Sequence, residues 1–126
     1  MNWRICFSLG SFLAALAVIL GAFAAHALKN VLPSEKLVVF ETGVRYQMYH
    51  ALALLAVAFV SLQVEQSSSL KAAAYLFTIG IVLFSGSLYL LSLSSIRWLG
   101  FITPFGGVCF IAAWILLGVS VMEISD

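Results

Sequence analysis

The sequence has very few charged residues. Six basic and five acidic side chains make up 9% of its 126 residues, and the formal net charge is +1. Proteins that bind nucleic acid or the surface of an anionic membrane use clusters of lysine and arginine. Because the sequence has no such cluster, it predicts neither a nucleic-acid partner nor a basic lipid-binding arm.

Cysteine and the motifs of enzymes are scarce as well. The two cysteines, Cys6 and Cys109, fall near or within apolar runs and lack the spacing of metal ligands. We interpret them as small buried hydrophobic residues. The chain also lacks a nucleophile elbow, a phosphate-binding loop and a close pair of acidic residues. We therefore predict that the protein is not an enzyme and holds neither a metal nor a cofactor.

Long apolar runs dominate what remains. Hydrophobic residues make up 63% of the chain, and the mean hydropathy is +1.14. About twenty apolar residues are needed for a helix to cross a bilayer, and four such runs cover residues 7–28, 38–62, 70–93 and 99–122. The sequence predicts an all-α, integral membrane four-helix bundle with antiparallel up-down-up-down order, formed by one domain over residues 1–126.

The second run carries most of the charge found within the predicted membrane segments. An ionisable side chain inside a bilayer is costly unless it has a partner or a function. On a helical wheel Glu41, Arg45 and Tyr49 share one stripe, and we expect this stripe to face protein. Glu41 and Arg45 are spaced for an i,i+4 ion pair. Another, apolar side of the helix is expected to face lipid, and it consists of Leu37, Val44, Met48, Ala51 and Leu55.

An antiparallel bundle brings the polar residues of all four helices into one half of the bilayer. The hydroxyl-rich end of the third run and the start of the fourth then lie beside the polar half of the second. We interpret this asymmetry as a buried network or a vestibule that opens to one side, since a continuous pore needs polar lining at every depth. The candidate network or ligand-binding residues are His26, Glu41, Arg45, Tyr46, Gln47, Tyr49, His50, Ser85, Ser87, Tyr89 and Thr103.

Several motifs of this chain resemble those of one known family. They are GAFAAHAL at 21–28, FETGVRYQMYHALA at 40–53, FSGSLY at 84–89 and ITPFGG at 102–107. They are similar to the successive motifs of the YgdD-type family of small four-helix membrane proteins. That family includes eukaryotic transmembrane protein 256 and is classed as a domain of unknown function. One departure is Ala24, where we expect the family to favour glycine. The resemblance implies a multi-pass protein of the bacterial inner (cytoplasmic) membrane, and it implies no activity.

The residues leave three functional hypotheses open beside membrane lipid as a partner. The polar residues form a closed network that fixes helix packing, or they bind a small polar or anionic ligand. An oligomeric transporter or proton-linked carrier is the alternative form of the second hypothesis, because one protomer of this size is small for transport. The third is electron transfer by a haem bound between His26 and His50. We predict a non-enzymatic binding or structural accessory module, and a water-filled cavity reaching Arg45 and His50 would favour binding over a closed network.

Overall fold

The computed structural model describes residues 1–64 and 67–124, and the regular secondary structure of this part of the chain is all helical, with no strand. The main helices are α1 (Trp3–His26), α2 (Ser34–Val60), α3 (Ser68–Gly80), α4 (Ser87–Leu93) and α5 (Thr103–Met122). A π-helical segment, Ile81–Gly86, joins α3 to α4 without a break. Short 3-10 helices cover Leu28–Asn30 and Arg97–Phe101.

Within the described residues, four helical spans are long and apolar enough to cross a membrane. They are Trp3–Asn30, Ser34–Val60, Ser68–Leu93 and Arg97–Met122. Short connections join successive spans, which is consistent with the up-down order that the sequence predicts. The prediction of an all-α membrane protein with four helices is therefore confirmed.

Local signals explain where two of the helices begin. The side chain of Asn2 accepts a hydrogen bond of 3.0 Å from the Ile5 backbone N–H, so α1 is capped and begins at Trp3, earlier than residue 7. The fourth span begins with a 3-10 turn, and α5 follows with Pro104 in its first turn. Proline is tolerated there because the first N–H groups of a helix have no partner within the helix.

The second span lies between the first and the third. On one side of α2, a Cβ atom added to Gly10 of α1 would lie 2.8 Å from the backbone oxygen of Ala51, and one added to Gly21 would meet Val44 at 3.4 Å. Such close approach is typical of small residues at helix interfaces in membranes. On its other side α2 packs against α3, the π-helical segment and α4, and α5 packs mainly against α3.

This arrangement reverses the prediction for the faces of α2. The side expected to face lipid is covered by α1, and its Ala51 is fully buried. Arg45 and Tyr49, which were expected to face protein, are exposed. The prediction that the apolar side of α2 faces lipid was wrong. The small residues of α1 allow that helix to pack closely against this apolar side, which is therefore covered by protein. Polarity alone does not say which side of a helix is covered.

The third span differs from a regular α-helix. A π-helical turn has i→i+5 hydrogen bonds, so it inserts one extra residue and rotates the side chains that follow. Here the turn lies opposite Gly106 of α5, where an added Cβ atom would lie 2.4 Å from the backbone nitrogen of Phe84. The π-helical segment and α5 are therefore in backbone contact, and only glycine fits at position 106.

Hydrogen bonds join the start of α3 to the end of α5. Ser67 caps α3, accepting a bond from the Leu70 N–H, and it donates a hydrogen bond of 2.7 Å to the Glu123 carboxylate. Ser69 donates another of 2.7 Å to the same group. The bonds from Ser69 and Ser67 hold the pKa of the Glu123 carboxyl below its usual value, since both stabilise the charged form.

Candidate functional site

The amide of Gln47 connects three of the spans. Its Nε2 donates a hydrogen bond of 2.9 Å to the backbone oxygen of Leu13 in α1. Its Oε1 accepts one of 2.7 Å from the Tyr89 hydroxyl in α4. Gln47 is only 2% exposed, and the alternative to these bonds is an unpaired polar group in an apolar environment. The side chain therefore fixes both neighbours of α2 relative to it.

A second contact joins α2 to the π-helical segment. Ser85 is fully buried, and its hydroxyl donates a hydrogen bond of 2.7 Å to the backbone oxygen of Gly43. A Cβ atom at Gly43 would lie 2.8 Å from the ring of Tyr89 and 3.3 Å from the backbone oxygen of Ser85. The glycine thus lets the third span come close enough to α2 for this bond to form.

His50 belongs to α2, and its side chain points toward α5 and is 4% exposed. Its ring stacks on that of Phe110, with the two centroids 3.5 Å apart and the planes inclined by 5°. Its Nε2 lies 3.1 Å from the indole Nε1 of Trp114, which donates the hydrogen bond. Its Nδ1 lies 2.6 Å from the backbone oxygen of Tyr46, one turn earlier in α2.

These two contacts define the state of the imidazole. A carbonyl oxygen can only accept a hydrogen bond, so the Nδ1 of His50 must carry the proton. An indole N–H can only donate, so Nε2 must be unprotonated. The geometry therefore requires neutral His50 with its proton on Nδ1. A proton added to Nε2 would place two donors face to face, and a metal at either nitrogen would displace an existing hydrogen bond.

Two further polar contacts lie near the ends of α2 and α4. The hydroxyl groups of Ser87 and Thr103 are 2.6 Å apart and join α4 to the start of α5. The Lys36 ammonium donates a hydrogen bond of 2.8 Å to the backbone oxygen of Ser94. Ser87 also donates to the backbone oxygen of Phe84 in its own chain segment, which is the usual behaviour of serine in membrane helices.

The buried network is closed. Within residues 1–64 and 67–124, every buried side-chain nitrogen and oxygen atom has a hydrogen-bond partner. Two cavities of about 320 and 360 Å³ lie near opposite ends of the spans. Neither is lined by Gln47, His50, Ser85 or Tyr89. The arrangement is that of side chains that bond one another.

The predicted site residues separate into two groups. The structure brings Gln47, His50, Ser85, Ser87, Tyr89 and Thr103 into buried contacts between helices. It leaves His26, Arg45, Tyr46 and Tyr49 exposed, and Glu41 half-buried. Tyr46 contributes its backbone oxygen to His50, and its ring packs on Phe84 at 4.6 Å between centroids. His26 and His50 therefore do not face one another across a shared site.

The predicted ion pair between Glu41 and Arg45 is also not formed. No nitrogen–oxygen contact within 4.0 Å joins the two side chains, although both lie in the described part of α2. Arg45 is exposed and Glu41 is half-buried, and both fall on the same helical stripe as the exposed residues Tyr49, Leu52 and Phe59. We call the residues Glu41, Arg45, Tyr49, Leu52 and Phe59 the outer face of α2.

Sequence reasoning missed the residues of α5 that enclose His50. Phe110 and Trp114 are one turn apart, and neither is among the predicted site residues. A usable signal was present, because an indole N–H near the middle of a span needs an acceptor, and His50 is an acceptor at a similar depth. Because Phe110 and Trp114 are one helical turn apart, both reach His50. Phe110 stacks on its ring, and Trp114 donates a hydrogen bond to it.

The comparisons with known proteins agree with this architecture. A family model described as "Protein of unknown function (DUF423)" matches residues 20–107. The membrane protein YwdK of Bacillus subtilis, named UPF0382, is 50% identical over 115 residues, which cover 91% of this chain and 94% of that protein. The chain belongs to the DUF423 family.

Relatives in other bacteria extend this family assignment. The inner membrane protein YgdD of Escherichia coli, also named UPF0382, is 41% identical over 107 residues, covering 85% of this chain and 81% of that protein. A UPF0382 membrane protein of Staphylococcus saprophyticus is 46% identical over 116 residues. The resemblance to the YgdD-type family is confirmed, and the chain is a membrane protein. No solved structure matches it.

Proposed function

We propose that this DUF423 protein is a non-enzymatic module of the bacterial inner membrane that binds a partner within the bilayer through the outer face of α2. The single observation that carries the proposal is the position of Arg45. Its side chain is exposed, and it has no ion-pair partner within residues 1–64 and 67–124. A charged side chain at such a place is costly unless something covers it.

The depth of Arg45 makes this cost substantial. With 27 residues, α2 is about 40 Å long at 1.5 Å per residue, whereas the hydrocarbon core of a bilayer is about 30 Å thick. In a span centred on that core, the backbone of Arg45 lies about 11 Å inside the hydrocarbon boundary. The long side chain extends toward the nearer surface, and a polar partner at that depth would stabilise it.

The closed network supports binding at this face over chemistry or transport through the interior. The buried polar groups already bond one another, and neither of the two end cavities is lined by Arg45 or His50. Both nitrogens of His50 are engaged, which does not favour a proton relay or an axial haem ligand. The network instead holds α2 rigidly between its neighbours, and α2 carries the unpaired arginine.

Photo-cross-linking in the membrane tests this proposal. A benzophenone amino acid replaces Tyr49, which is 51% exposed on the outer face, and as a control it replaces Ile111, which is 63% exposed on α5. We expect a protein adduct from position 49 that persists in Arg45→Lys and falls at least fivefold in Arg45→Gln. Adducts of lipid alone from both positions, or a protein adduct that ignores the charge at position 45, would contradict the proposal.

A cavity at the membrane boundary supports a second candidate function, the binding of a phosphate group. The cavity has a volume of about 360 Å³, and its lining includes Lys36, Arg97 and the serines 92, 94 and 95. The Lys36 ammonium uses one donor on Ser94 and has two others. Glu35 also lines the cavity, a carboxylate that would suit the amine of a zwitterionic head group.

Native mass spectrometry distinguishes the sources of such a phosphate. The detergent-solubilised protein is titrated with inorganic phosphate, with phosphatidylglycerol and with phosphatidylethanolamine. We expect a lipid adduct whose affinity falls at least tenfold in the variant Lys36→Ala/Arg97→Ala. The control Lys29→Ala removes an exposed lysine outside the cavity and should leave the affinity unchanged. An adduct with inorganic phosphate alone would indicate a soluble anion, and equal binding by all variants would exclude the cavity as the site.

A further inference from the structure

The outer face of α2 carries two opposite charges one helical turn apart, and its other residues, Tyr49, Leu52 and Phe59, are exposed. Arg45 is exposed and Glu41 is half-buried, and these two do not pair with each other. Resting on the proposed function, we infer that the partner at this face is a second copy of this chain. The two copies form a symmetric dimer in which Arg45 of each contacts Glu41 of the other.

The depth of the two residues fits such a pair. Copies inserted in the same orientation are related by a two-fold axis along the membrane normal, so their α2 helices lie side by side and run in the same direction. Residue 45 is then about 6 Å deeper than residue 41 of either copy. Side chains of an α-helix point toward its N-terminus, which for α2 is the direction from Arg45 toward the depth of Glu41. Both side chains tilt this way, but the arginine side chain is the longer one, so its guanidinium can reach the other copy's carboxylate.

Two-fold symmetry makes this contact occur twice. In an isologous interface the same patch is used by both copies, so a patch must be complementary to itself. A face with one acidic and one basic residue meets this condition, whereas a face with only arginine would repel its copy. The resulting two ion pairs would neutralise all four charges at a depth where each alone is costly.

The rest of the outer face suits the same partner. Toward the C-terminus of α2 the outer face continues with Leu52, which is 51% exposed, and Phe59, which is 68% exposed. The small residue Ala56 between them is also exposed. Helices in membranes associate by close packing around small residues and by polar contacts. The face thus offers polar contacts in one leaflet and apolar packing in the other, along the length of α2.

An anionic lipid is a poorer occupant of this face. A phosphate group would be attracted by Arg45, but the carboxylate of Glu41 lies one turn away on the same face and would repel it. The repulsion acts where the low dielectric constant of the membrane strengthens it. A carboxylate from a second copy meets the arginine and also brings an arginine for Glu41.

Mixing two variants tests for a second copy. Donor-labelled R45Q and acceptor-labelled E41Q are reconstituted in lipid bilayers, and association is measured by energy transfer as the protein is diluted with lipid. In a dimer of R45Q, Glu41 of each copy has no Arg45 to pair with. In a dimer of E41Q, Arg45 of each copy has no Glu41 to pair with. We expect each variant alone to self-associate at least tenfold more weakly than the unmodified protein. The mixture of both should associate at least tenfold more tightly than either, because one native pair is restored.

Controls and outcomes separate this inference from the proposed function. The variant K29Q removes an exposed charge outside the outer face and should associate as the unmodified protein does. Helical content and thermal unfolding of each variant check that the fold is retained. The inference is overturned by self-association that ignores both substitutions, by a mixture that does not recover, or by absence of self-association in the unmodified protein. An adduct at position 49 that depends on Arg45 but has a mass other than twice that of the chain would overturn the dimer and leave the proposed function standing.

Discussion

Replacing Gly106 with alanine is expected to lower the free energy of unfolding by about 3 kcal/mol, as for overpacking in a tight core. The added methyl group would lie 2.4 Å from the backbone nitrogen of Phe84, 2.7 Å from its Cβ and 2.8 Å from its Cα. A flexible side chain could turn away from such a contact, but the backbone of the π-helical segment cannot. The segment and α5 must therefore separate, which also disturbs the hydrogen bond from Ser85 to Gly43.

The neighbouring glycine provides a matched control for this prediction. A Cβ atom at Gly107 would lie 3.9 Å from the nearest atom of the Phe84 ring, an ordinary contact distance. Because alanine is a better helix former than glycine, Gly107→Ala should leave stability unchanged or raise it by about 0.5 kcal/mol. Unfolding in mixed micelles of increasing denaturing detergent measures both variants. Equal stability of the two variants would show that the segment and α5 are not in backbone contact.

Replacing His50 with alanine is expected to cost about 3 kcal/mol, at the lower end of the range for removing a buried ring. The substitution removes the ring stacked on Phe110 and leaves the Trp114 indole N–H without its acceptor. The neutral imidazole is held at both nitrogens, so no smaller side chain reproduces these contacts. The same detergent titration measures the loss of stability.

His26→Ala is the matched control for this second prediction. His26 is exposed at the end of α1, and substitutions at such positions change stability by less than about 0.5 kcal/mol. A double-mutant cycle with Trp114→Phe then isolates the hydrogen bond, and we expect a coupling energy of about 1 kcal/mol. A coupling energy near zero would mean that the indole N–H does not bond His50. Loss of stability in His26→Ala equal to that in His50→Ala would contradict the difference in burial.

The sequence was informative about the spans and about the residues that join them. Length and hydropathy predict four membrane helices, because the thickness of the bilayer sets the length of an apolar run. The prediction of a polar network that includes Gln47, His50, Ser85 and Tyr89 follows from the cost of unpaired polar groups in a membrane. The specific partners could not be predicted, because Leu13, Gly43 and Tyr46 take part through backbone oxygens, which every residue has.

The faces of α2 show the limit of this reasoning. A helical wheel separates the stripe of Glu41, Arg45 and Tyr49 from the apolar stripe, and the rule that charges avoid lipid then places the charges against protein. That rule assumes that one chain contains all the protein there is to face. In the dimer that we infer, Arg45 does face protein, but the protein belongs to a second copy.

The amino-acid sequence by itself determined the class of this protein, since four apolar runs of this length have few stable arrangements other than membrane helices. It also determined which side chains need partners. Only the tertiary structure decided which partners they have, because the close approach of α1 and α2 at Gly10, and of the π-helical segment and α5 at Gly106, depends on the fit of whole helix surfaces. Because of this packing Arg45 is exposed and His50 is buried. A local sequence pattern does not show how whole helix surfaces fit together.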